Sequence, residues 1–331
     1  MDIFVGYLLF FVMYISNVGA PSSYYGPDED GALILRERSF LASDLISGFG
    51  YGIQFALYTT CAHYLWSQRQ TRRYALVLLA YTSIAFCIQT VYVAVQARVL
   101  QHVYIDDRNY PGGPWAYYLS SQSIPVNIVV QVTLFVLTFM CDVLVLWRCW
   151  VIWQAPWQSR RVAYLVASVP LVLLLASFAT GILWALSSSR TASPSTLYPA
   201  LPKAYGIAYT STSFSINILL TLLITGRLLQ YRANIMSSLP AAYAKHYLSL
   251  ATALVESAAL YSVFAVAFLV SYAVDSGLDQ VFLAVAQAAQ QVSAYMIVYR
   301  LANGMAWETT TLANDLTSTI SALVEETGSA C

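Results

Sequence analysis

The sequence predicts an all-α polytopic membrane protein, a bundle of seven transmembrane helices with its N-terminus outside and its C-terminus in the cytosol. Three observations carry this. Hydrophobic residues make up 59% of the chain and charged residues 10%, whereas a soluble domain carries roughly a quarter charged residues. Seven apolar stretches are each long enough to supply the about 20 helical residues that a bilayer core requires. The segments joining them are sharply partitioned by charge.

Taken in order, residues 1–20 (MDIFVGYLLFFVMYISNVGA) hold an apolar run from Ile3 to Ile15, too short for an ordinary span, followed by the small residues Val18-Gly19-Ala20. They read as a signal peptide, which would deliver residues 21–42 to the outside as an extracellular segment. Asp2, the lack of a basic residue and Pro21 after the cut count against cleavage. The alternative is a retained hydrophobic segment or an eighth helix. The seven spans are 43–66, 74–97, 124–150, 162–186, 204–230, 247–272 and 279–300. Each must cross as a helix, because unpaired backbone amides in lipid cost several kcal/mol. The third and fifth are the longest and are expected to protrude into the cytosol. The tail 301–331 is polar and acidic near Glu325 and Glu326. It reads as a disordered cytosolic tail, or as a short amphipathic surface helix through Leu312, Leu316, Ile320 and Leu323.

Orientation follows from the connections. Those after spans one, three and five carry Arg69, Arg72, Arg73, Arg160, Arg161, Arg232 and Lys245 and no acidic residue. On the other side Arg36, Arg38, Arg98, Arg108, Arg190 and Lys203 are diluted by acids including Asp28, Glu29, Asp30, Asp106, Asp107, Asp275 and Asp279. The positive-inside rule places the Arg-rich loops in the cytosol. A plasma-membrane location is expected over an internal one.

Composition also excludes classes. The net charge is zero, with no long basic surface for nucleic acid. Of Cys61, Cys87, Cys141, Cys149 and Cys331, four lie in apolar runs and the last is terminal, so no outer disulfide and no zinc spacing is expected. His63, His102 and His246 form no metal set, and there is no Gly-x-Ser-x-Gly elbow or phosphate-cradling glycine loop. No catalytic residue, metal or cofactor is predicted, and an enzyme is not expected.

The informative residues are the polar ones inside the spans. In span three, Asn127, Gln131, Thr138, Asp142 and Cys149 fall within about 60° of one another at the helical angle of about 100° per residue. Span seven offers Gln280, Gln287, Gln291 and Tyr295, span five Thr210, Ser213, Asn217 and Thr221, and span two Thr82, Gln89 and Gln96. By helical rise, Gln89, Asn127, Gln131, Gln287 and Gln291 lie in the outer half or near the middle and Asn217 close to the midplane. These six are the candidate ligand cavity; the competing reading is amide packing glue between helices. Asp142 lies in the inner half, as does Glu256 beside Ser249 and Thr252. With Arg148, Arg227 and Arg300 at inner helix ends, they form a candidate switch or ion-pair network, a proton relay being the third reading. An Arg from another helix is the expected partner of Asp142. Between spans two and three, Asn109-Tyr110-Pro111-Gly112-Gly113-Pro114 is a dense turn signal among aromatics, either a rigid cap at the interface or a lid.

The segments YGIQFALYTT, YIDDRNYPGGPWAYY, DVLVLWRCWVIW, NILLTLLITGRLL, ESAALYSVFAVAFLV and YRLANGMAW, spread over about residues 40–307, resemble a large family of seven-span membrane proteins from basidiomycete fungi whose function is unassigned. The resemblance implies a receptor-like topology, with Asp142, Arg148, Asn217, Arg227, Glu256 and Arg300 as characteristic membrane-embedded or border residues. The chain departs from the family at Ser293-Ala294, where members commonly carry Pro, and at Met305, where they carry Arg. Specific signatures of rhodopsin-like receptors are missing: no Asp-Arg-Tyr ends span three, and no Asn-Pro-x-x-Tyr ends span seven.

Three functions follow as expectations. The leading one is a receptor-like protein that senses an unknown small ligand and signals to a cytosolic partner. The second is a small-solute or proton-coupled transporter, and the third a structural membrane protein in which all these groups only hold helices together; the lipid bilayer is a partner in every case.

Overall fold

The computed structural model describes residues 30–69, 73–153, 160–188, 200–235, 259 and 261–302. Every regular element among them is helical: α1 (Gly31–Gln68), α2 (Arg73–Gln101), α3 (Gly113–Ser120), α4 (Pro125–Trp153), α5 (Arg160–Ser188), α6 (Ala200–Ile235), α7 (Tyr261–Ala273) and α8 (Asp279–Ala302). Five of these, α2, α4, α5, α6 and α8, are long and apolar enough to cross a membrane. They match the predicted stretches 74–97, 124–150, 162–186, 204–230 and 279–300. The stretch 43–66 lies inside α1, which Gly, Tyr, Thr and Gln make less apolar than the five. Helix α7 covers only the second half of 247–272; the first half, with Glu256, lies outside the described residues, as do the segment 1–20 and the tail from 303 onward. Large apolar side chains such as Leu165, Val172 and Leu222 are exposed on the helices, a surface that suits lipid and not water.

Two boundaries differ from expectation. At 38 residues α1 is the longest described helix, and its first turns, residues 31–42, were expected in the extracellular segment. Their last turn has a face to bury: Ser39, Phe40 and Ala42 are buried there. Residues 98–123 are likewise not an open loop. Helix α2 widens in its last turn, where the Asp107 N–H reaches His102 O at 3.0 Å, and α3 follows. Gly112 sits between them at φ 90, a left-handed conformation that side-chain-bearing residues rarely adopt. Phe40 of α1 receives the aromatic side of α3, its ring 4.8 Å from that of Tyr118. The Tyr104 hydroxyl donates to Glu37 O at 2.9 Å, and the Trp115 N–H donates to Glu37 Oε1 at 3.3 Å. These contacts make the 98–123 segment a cap fastened to α1.

The helices pack around two centres. Helix α4 touches α2, α5, α6 and α8, while α1 lies between α2 and α8. Of the apolar window of α8, 67% is buried, against 22–39% for the other four candidates. The α1–α8 seam is built from small residues. Ser39, Ser43, Ser47 and Gly50 of α1 are buried, as are Ala284, Ala288 and Ala289 of α8. An added Cβ on Gly50 would stand 3.0 Å from Ala288 Cβ. Small side chains let helix backbones approach where lipid supplies no hydrophobic drive for association.

Candidate functional site

The site grows from one carboxylate. Asp142 lies midway along α4 and is 1% exposed, so its lone pairs must be met by protein groups. Asn217 Nδ2 and Gln290 Nε2 donate to its Oδ1 at 2.7 and 2.9 Å, and Ser213 Oγ donates to its Oδ2 at 2.8 Å. Asp142 thereby ties α4 to α6, through Ser213 and Asn217, and to α8, through Gln290. All three partners donate, which suits an acceptor-only carboxylate. The expected ion pair is not what holds it: none of the ion pairs among the described residues involves Asp142.

Above this node, toward the end of the bundle that carries α3, lies a cavity of about 520 Å³. Ser213 and Gln290 form part of its floor with Thr138 and Gln287. Its walls are aromatic: Trp184 and Tyr209 stack at 5.7 Å, with Tyr261, Phe268 and Tyr272 opposite. Trp115 and Tyr118 of the cap, with Arg36, Asp275 and Asp279, surround the mouth. Arg36 bonds Asp275 through both its carboxylate, at 3.1 Å, and its carbonyl, at 2.9 Å. Burial raises the Tyr118 phenol above its ordinary pKa, which keeps it neutral. Below the node, Asn217, Thr221, Gln290 and Ser293 line a smaller cavity of about 40 Å³. The Asp142 cluster is the partition between the two.

The six predicted cavity residues are distributed differently. Gln131 and Gln287 line the large cavity. Asn217 lies in the partition. Gln291 lines a third cavity of about 30 Å³ with Gln54, Thr82 and Tyr295. Gln89 is buried but lines none of the three. Asn127 donates through Nδ2 to Ser121 O and Ser121 Oγ at 2.8 and 3.1 Å, so it fastens the turn between α3 and α4. Of the predicted switch residues, Arg148 is buried and donates through Nη2 to Ile297 O at 2.7 Å, joining the far ends of α4 and α8. The Arg227 guanidinium stands 5.2 Å from the Trp153 ring centroid. Glu256 and the Arg300 side chain lie outside the described residues. Sequence reasoning missed Gln290, Arg36, Trp184 and Tyr209; the adjacent pair Gln290-Gln291 was the available signal for the first.

No protein-family model, curated protein or solved structure matches the chain.

Proposed function

We propose that the protein is a receptor-like bundle of seven transmembrane helices, N-terminus outside and C-terminus in the cytosol, that takes a small ligand into the large cavity. The observation that supports this best is the Asp142 node directly beneath the cavity. A ligand resting on Ser213 and Gln290 presses on side chains that are bonded to Asp142 from two other helices. Cavity occupancy and the relative placement of α4, α6 and α8 are then linked, because a ligand shifts an equilibrium by its differential contacts with the two arrangements. Arg148, which bonds the far end of α8 from α4, extends the same connection toward the Arg-rich loops, where a cytosolic partner would read it. The charge partition of the loops supports the orientation.

A transporter is the second reading, favoured by the small cavity on the far side of the node. Thiol accessibility separates the two. In a Cys87→Ser, Cys141→Ala, Cys331→Ser background, Thr210→Cys and Thr221→Cys each place one thiol, in the large and the small cavity respectively. A membrane-impermeant methanethiosulfonate reagent applied to intact cells is expected to modify the Thr210 variant and leave the Thr221 variant intact. Modification of both from either side would establish alternating access and replace the receptor with a transporter. Modification of neither from outside would remove the outward cavity altogether.

A further inference from the structure

The cavity has a chemical preference that its lining residues disclose. Around it stand one basic side chain, Arg36, and two acidic ones, Asp275 and Asp279. Beneath its floor is a third acid, Asp142, bonded only to neutral groups among the described residues. With these acids ionised, they outnumber the one base, the local field is negative, and low-dielectric walls focus it. Ser213 Oγ gives its hydrogen to Asp142, so toward the cavity that hydroxyl offers only lone pairs. Gln290 gives an Nε2 hydrogen to the same carboxylate. The Ser213 side of the floor is thus matched to a group that donates hydrogen bonds.

Two further observations define the rest of the ligand. The walls are aromatic rings, whose electron-rich faces attract cations, most strongly when both are removed from water. An internal cation already uses one of them: the Arg36 guanidinium lies 6.0 Å from the Trp115 ring centroid at the mouth. Independently, Gln287 is 7% exposed and faces the cavity, yet its Nε2 has no hydrogen-bond partner among the described residues. A buried donor left unpaired is costly, and an oxygen on the occupant would satisfy it.

From these features we infer that the cavity binds a small organic ammonium compound with an aromatic or branched apolar body and an oxygen acceptor. The ammonium points at the Ser213–Gln290 floor above Asp142, the body rests between Trp184, Tyr209 and Phe268, and the oxygen meets Gln287. This rests on the reading of the cavity as a ligand site, and the test separates the two claims.

Full-length protein in nanodiscs is titrated, with tryptophan fluorescence as the readout, using three probes of similar size: tyramine, its neutral counterpart 4-hydroxyphenethyl alcohol, and the anion 4-hydroxyphenylacetate. Trp184 reports occupancy whatever the charge. Tyramine is expected to bind at least about tenfold more tightly than either other probe, a difference of about 1.4 kcal/mol. Asp142→Asn is expected to abolish that preference, read as the ratio of tyramine to neutral-probe affinity in the same variant. Asp279→Asn, at the mouth, is expected to reduce the preference in part, and it remains informative should the Asp142 variant fold poorly. Equal or tighter binding of the neutral or anionic probe would overturn the ammonium assignment and leave the ligand cavity standing. Failure of all three to bind would overturn both.

Discussion

Asp142→Leu is expected to leave the protein about 2–4 kcal/mol less stable than Asp142→Asn, measured by thermal unfolding in detergent. Both substitutions remove the charge, so the about 2.5–3.5 kcal/mol associated with a carboxylate at the centre of a span cancels from the comparison. What differs is the fate of three donors. Asparagine keeps an oxygen where Asn217 and Gln290 now donate to Oδ1, and the Ser213 hydroxyl can turn to accept from its amide. Leucine strands the Ser213 and Gln290 donors and leaves Asn217 Nδ2 only its bond to Ser213 O, at 3.1 Å. Between membrane helices each hydrogen bond averages about 0.6 kcal/mol, which sets the low end. A buried donor left unpaired in a packed site costs about 1–3 kcal/mol, which sets the high end after relaxation. Equal stability of the two variants would mean that the node does not hold α4, α6 and α8 together.

The second large effect is at a glycine. A Cβ on Gly181 of α5 would fall within the ring of Phe135 on α4 and 3.1 Å from Tyr209 on α6. Phe135 cannot swing aside, because Phe139, Phe178 and Tyr209 surround it with ring centroids 5.0 to 6.3 Å apart within the group. Gly181→Ala adds up to about 1 kcal/mol of helix propensity. Overpacking a filled site costs about 1–3 kcal/mol and wins. A net loss of up to about 2 kcal/mol is expected, and Phe135→Leu in the same chain should recover most of it. Because Tyr209 stacks on Trp184 in the cavity wall, tryptophan fluorescence should shift with the loss. An Ala variant as stable as wild type, with unchanged emission, would show that the α4–α5–α6 junction is looser than described.

Asp142 was legible in the sequence for a physical reason: a carboxylate inside an apolar helix is too expensive to be incidental. Its partners were not. The stripe rule pairs charge with charge and looks for an arginine, whereas the fold surrounds this carboxylate with a serine and two amides. Gln290 escaped for a related reason. The seam of Gln280, Gln287 and Gln291 describes a helix with one buried face, but 67% of the apolar window of α8 is buried. A second face, about 100° round from Gln291, is therefore also inward. Asn127 shows the opposite error. Its place on the stripe was read correctly, but the nearby Ser121 turn, which no periodicity reveals, takes up its amide. The extra turns of α1 were hidden because Arg36, Glu37 and Arg38 made residues 31–42 look like an aqueous segment, while the repeat Ser39, Ser43, Ser47 was the packing signal. Helix existence came from apolar length alone and was readable for the five long elements; the cavity is a product of which helices adjoin α4, and adjacency is not written in one chain's periodicity.

The proposed function requires a connection, through the Asp142 node, between the cavity and the far ends of α4 and α6. It is tested most directly by the distance between spin labels at Val151 and Leu229, both exposed near those ends, measured by pulsed electron resonance in nanodiscs. In a Cys87→Ser, Cys331→Ser background, Asp142→Asn should shift or split the distance distribution relative to the parent while the protein remains folded. The same distribution in both, with folding intact, would contradict the claim and make the node a static bond between helices.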